Sequence, residues 1–85
     1  MKQWKEEILK ELEEQTADLR EISFKDTVSK LGYKHIKRQD VLDIALAFTK
    51  RNPTYKAIRF IEEKSLFNGL VFTELDYSED TEENC

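Results

Sequence analysis

Cysteine is nearly missing from this chain: the one example, Cys85, is the last residue. No internal disulfide can form, which predicts a protein of a reducing compartment such as the cytoplasm. Proline occurs once, at Pro53, and glycine twice, at Gly32 and Gly69, so sites for tight turns are few and helices are favoured over a sheet-rich fold. The single histidine, His35, has no cysteine or second histidine near it; a zinc site lacks ligands, and no cofactor is expected. There is no glycine-rich phosphate loop and no pairing of nucleophile and base, so the sequence predicts a protein without enzymatic chemistry. No apolar run approaches the roughly 18 residues of a membrane span, and the first residues hold no signal-like apolar region.

Charge is abundant. Charged residues make up 38% of the 85 residues, nearly matching the 39% that are hydrophobic, so any core must be small. The charge is also sorted along the chain. Residues 1–21 carry a net −3, residues 22–66 a net +5, and residues 67–85 a net −6, giving −4 in total. The acidic overall balance therefore hides a basic centre. One domain is expected over residues 1–77, with an acidic, disordered tail at 78–85.

Within that domain, Trp4, Ile8, Leu9, Leu12 and Leu19 are spaced for an amphipathic helix over residues 3–21. Ser23 and Asp26 have capping-box spacing and predict a short helix through Phe24, Val28 and Leu31, ended by Gly32 as a left-handed cap. Residues 40–50 predict a third helix so apolar that it should be central. Asn52-Pro53 then matches an N-cap followed by an N1 proline and predicts a fourth helix to about Lys64, with Ala57, Ile58 and Ile61 inward. Asn68-Gly69 between Ser65-Leu66-Phe67 and Leu70-Val71-Phe72-Thr73 is a hairpin signal. The fold class expected is all-α, a compact four-helix domain that allows a small C-terminal β-hairpin.

Residues 40–67 resemble the core of a winged helix-turn-helix DNA-binding domain. Ile44-Ala45 matches the apolar-then-small pair of the first motif helix. Pro53-Thr54-Tyr55-Lys56-Ala57-Ile58 looks like the opening of a recognition helix, and Ile61 to Phe67 like the helix end that leads into a wing at Asn68-Gly69. Thr49, Lys50 and Tyr55 depart from the residues usual in the turn. The resemblance implies nucleic-acid binding through Lys50, Arg51, Thr54, Tyr55, Lys56 and Arg59. A second basic cluster, Lys34, Lys37 and Arg38, would extend that surface.

The expected function is thus a small intracellular regulator that binds DNA or RNA by phosphate neutralisation, with no membrane partner. The alternative is an acidic interaction module, an inhibitor or anti-factor of phage type, that meets a basic partner protein. It would use Trp4, Glu7, Glu11 and Glu14 of the first helix with Glu74, Asp76, Tyr77, Glu79 and Asp80 of the tail. The same charges would also serve as a solvated face, and a chain with so modest a core could be stabilised as a homodimer.

Overall fold

The computed structural model describes residues 2–59 and 66–75. The first helix, α1, spans Gln3–Gln15 and buries Ile8, Leu9 and Leu12, the stripe expected from their spacing. It stops six residues short of the expected end. The backbone N–H and hydroxyl of Thr16 both reach the carbonyl of Glu13, at 3.2 and 2.7 Å, closing the last turn. Leu19 consequently lies outside the helix and is exposed.

Strand β1, Glu21–Ser23, leads directly into α2, Phe24–Lys30. Ser23 is the N-cap, its Oγ accepting from the Asp26 backbone N–H at 3.2 Å. The expected stop at Gly32 is also present, with φ at +96°. Tyr33 N–H donates to Val28 O at 2.9 Å and Gly32 N–H to Ser29 O at 3.0 Å, the bond pair of a Schellman motif.

Helix α3 spans Arg38–Arg51 and buries Val41, Ile44, Ala45 and Phe48. It is not the central helix, touched on several sides, that its apolar composition predicts: Leu46 is 68% exposed. The chain leaves α3 through Asn52, whose backbone N–H and side-chain Nδ2 donate to Phe48 O at 2.8 and 3.0 Å. Asn52 O then accepts from Tyr55 N–H at 2.9 Å, closing a four-residue turn over Pro53 and Thr54.

The expected all-α fold is overturned here. In place of a fourth helix, Tyr55–Arg59 is a strand, β2. Asn followed by Pro suits the first two positions of a β-turn as well as a helix start. Immediately after the turn Tyr55 is buried, whereas Lys56, Ala57 and Ile58 are exposed. A one-turn helix, α4, Leu66–Gly69, then feeds strand β3, Leu70–Glu74. Asn68-Gly69 is therefore part of α4 and not a two-residue hairpin turn, and β3 pairs with β1 and β2. Residues 60–65, expected in the fourth helix and wing, and the tail from Asp76 lie outside the described residues.

The three strands form an antiparallel sheet in the order β1-β3-β2. Phe72 sits at its centre, paired with Ile22 on one side and Ala57 on the other. Its ring lies 4.5 Å from that of Phe48, and Phe48 also meets Tyr55 edge-on at 5.7 Å. These aromatic contacts dock the sheet on α3, while Ile8, Leu9 and Leu12 of α1 complete the same core. Among the described residues, no helix is long and apolar enough to cross a membrane.

Candidate nucleic-acid interface

The residues expected to bind nucleic acid are divided between the two ends of α3. At its N-terminal end, the connector 31–37 carries Lys34 and Lys37 outward, and Arg38 opens the helix; all three are exposed. Ile36, buried among the core residues, pins this connector to the body of the protein. None of the three cations has a carboxylate partner among the described residues.

Two carboxylates that follow them in the chain, Asp40 and Asp43, are bridged by one lysine of α1. Lys5 Nζ lies 2.9 Å from Asp40 Oδ1 and 2.9 Å from Asp43 Oδ2, with only 11% of its side chain exposed. Hydrogen bonding to Asp40, then to Asp43, holds the Lys5 ammonium above its ordinary lysine value. Bonds from Lys5, then from Gln39, hold Asp43 below the usual carboxylate range. Both groups therefore stay charged at neutral pH, and Lys5 offsets one of the two negative charges at this end of α3.

At the C-terminal end the opposite occurs. Arg51 directs both terminal nitrogens at the Glu6 carboxylate, each at 3.3 Å, and Asn52 Nδ2 donates to Glu13 at 3.1 Å. Lys50 remains exposed. Gln39, Leu46 and Lys50 are spaced to share the face of α3 opposite its buried stripe, spanning roughly 16 Å at helical rise.

Four further expected residues lie on the turn and β2. Thr54 is exposed in the turn, and Lys56 projects from the sheet face opposite Tyr55 and Ala57. Arg59 ends the strand, and the described residues stop there. Tyr55 is withdrawn from any ligand: it is buried, and its hydroxyl donates to Leu19 O at 2.7 Å. Burial, reinforced by the Glu74 carboxylate and opposed by Arg20, holds this phenol above its ordinary value and keeps the donor protonated.

The expected acidic partner surface is only partly free. Glu7 and Glu14 are exposed on α1, whereas Glu11 is tied to Lys30 at 2.8 Å and Glu74 to Arg20 at 3.4 Å. Asp76, Tyr77, Glu79 and Asp80 lie outside the described residues.

Sequence reasoning missed the cleft beside the first basic cluster. Trp4, Tyr33, His35, Ile36, Lys37 and Asp40 line an open space of about 480 Å³. Trp4 and Tyr33 form one wall, their ring centroids 5.8 Å apart and tilted by 43°, with Lys5 Nζ 5.7 Å from the Trp4 ring. These residues are about thirty positions apart, so no local pattern announces them. The outward position of Leu46 was legible, because it lies well away from Val41, Ala45 and Phe48 on a helical wheel. Among the described residues, no group of three or more His, Cys, Asp or Glu could hold a metal ion. No protein-family model matches the chain, and comparison with curated proteins and with solved structures gives no match.

Proposed function

We propose that this protein binds DNA without catalysing a reaction, docking the exposed face and N-terminal end of α3 against the duplex. The observation that carries the proposal is the charge arrangement around that end. Lys34, Lys37 and Arg38 are exposed and unpaired among the described residues, while Lys5 bridges Asp40 and Asp43 beside them and offsets one of their two charges. A cluster of free cations at a helix N-terminus attracts phosphate through their charge and through the helix dipole. A docked helix of this kind reads base edges from the residues of its N-terminal half, here the exposed Arg38 and Gln39.

The segment that resembled the opening of a recognition helix, from Pro53, runs into strand β2, so the proposal rests on the charge arrangement and not on the winged helix-turn-helix resemblance. Lys50 at the far end of α3 and Lys56 on β2 would then meet flanking phosphates.

The test is fluorescence anisotropy with a labelled duplex across a salt series. Replacing Lys34, Lys37 and Arg38 together by Ala is expected to weaken binding and to lower the salt slope by about 2.7, which is three lost phosphate contacts. Arg51→Ala, whose guanidinium is already held by Glu6, leaves the slope unchanged. A triple variant that binds with wild-type affinity and slope refutes the proposal.

One observation favours a protein partner instead: Leu46, in the middle of the same helix face, is 68% exposed. In that reading the face of α3 is covered by a basic protein, and the acidic Glu7 and Glu14 of α1 contribute at its margin. A Leu46→Lys variant separates the two, because the added cation strengthens phosphate binding and disrupts an apolar protein contact.

A further inference from the structure

The cleft beside the basic cluster has a chemistry of its own. Its wall is the half-buried Trp4–Tyr33 pair, whose tilted contact leaves aromatic surface facing the open space. Lys37 stands at the rim, and Lys34 is exposed on the same connector. Asp40 also lines the cleft; Lys5 occupies one of its carboxylate oxygens, at 2.9 Å, which leaves acceptor capacity on the other. A volume of about 480 Å³ is within the range of small-ligand sites.

An aromatic wall, a cation at the rim and a carboxylate acceptor together match one kind of occupant. A planar base stacks on the wall, its phosphate meets Lys37, and an exocyclic amino group donates to Asp40. A base inside a duplex cannot make these contacts, since both of its faces are stacked and its amino group is paired.

We infer that the cleft lined by Trp4, Tyr33, Lys37 and Asp40 takes one unpaired, amino-bearing base of the bound nucleic acid. This rests on the proposed DNA binding and adds a preference for structures with an extruded or unpaired nucleotide. The cleft and the exposed face of α3 are contiguous through Lys37 and Arg38, so one strand can follow both.

Trp4 is the only tryptophan of the chain, so its emission reports directly on the cleft. The probes are a fully paired duplex and the same duplex with a one-nucleotide bulge of cytosine, of thymine, or of an abasic residue. Affinity is read by anisotropy and occupancy of the cleft by Trp4 quenching. The cytosine bulge is expected to bind about tenfold more tightly than the abasic bulge and to quench Trp4. Thymine, which lacks the amino group, binds more weakly than cytosine. Tyr33→Ala removes the preference and Tyr33→Phe keeps it, while both retain wild-type affinity for the paired duplex. If the three bulged probes bind alike and leave Trp4 emission unchanged, with paired-duplex binding intact, the inference is overturned and the proposed function stands. Failure to bind any probe overturns both.

Discussion

The two ends of α3 carry similar residues and have been given different fates. Both have exposed basic side chains in sequence, and both lie against α1. At the C-terminal end, Glu6 and Glu13 of α1 take up Arg51 and Asn52. At the N-terminal end, α1 presents Lys5 instead, which takes up Asp40 and Asp43 and leaves Lys34, Lys37 and Arg38 free of carboxylates among the described residues. The availability of a cation is thus decided by the charge that a packed neighbour brings to it, and local basic density alone is a poor guide to a binding surface.

The most severe way to break this comparison is to remove the anchor that α3 shares with the sheet. Phe48 is fully buried, 4.5 Å from Phe72 and 5.7 Å from Tyr55. Phe48→Ala is expected to cost about 3–5 kcal/mol in a denaturant titration, enough to unfold much of a small domain. Both ends of α3 then lose their distinction together.

A milder substitution disturbs the N-terminal end alone. Gly32 adopts a φ of +96° with open space where a Cβ would stand, so Gly32→Ala meets backbone strain without a clash. The expected cost is about 1–2 kcal/mol in thermal or chemical unfolding. Under the proposed DNA binding, affinity is expected to fall with it, because the connector that carries Lys34 and Lys37 starts at this turn. A variant as stable as wild type would show that the Schellman turn does not hold the connector in place.

The smallest effect is a pH dependence that sharpens the contrast. Asp43 is held below its ordinary value by Lys5 and then by Gln39, so the unfolded chain binds a proton at this site before the folded one does. Its stabilising contribution is present above the unfolded carboxylate pKa, about 3.9, and is lost as pH falls through the lower folded value. Asp43→Asn should therefore show a shallower loss of stability on acidification, measured by thermal midpoints from pH 5 downward. An unchanged acid limb would mean that the Lys5 pair contributes nothing to folding.

Much of the helical half was legible along the chain. The buried stripe of α1, the Ser23 cap of α2 and the left-handed stop at Gly32 are local devices, written within a few residues of where they act. Of the sheet only the extended run from Leu70 to Thr73 was legible, for a matching reason. Strand β1 is three residues long, too short for a period, and it pairs with a strand about fifty positions away. Asn52-Pro53 suits two local structures equally, and the choice fell to the strand because Tyr55 and Phe72 have Phe48 to pack on. The candidate site shows the same division. Lys34, Lys37 and Arg38 were visible as a basic cluster, whereas the aromatic wall that joins Trp4 to Tyr33 exists only after α1 has packed beside the connector.

By itself the sequence determined the helices α1 to α3, the caps of α2, the small core and the existence of a basic centre in an acidic chain. Each of these depends on residue type and on spacing over one or two turns. Only the tertiary structure decided that residues 55–59 are a strand, that Tyr55 is sealed in the core, and which of the basic residues face solvent unpaired. Those outcomes depend on what distant segments bring into contact, because pairing, burial and neutralisation of charge are properties of a neighbourhood that no stretch of chain contains alone.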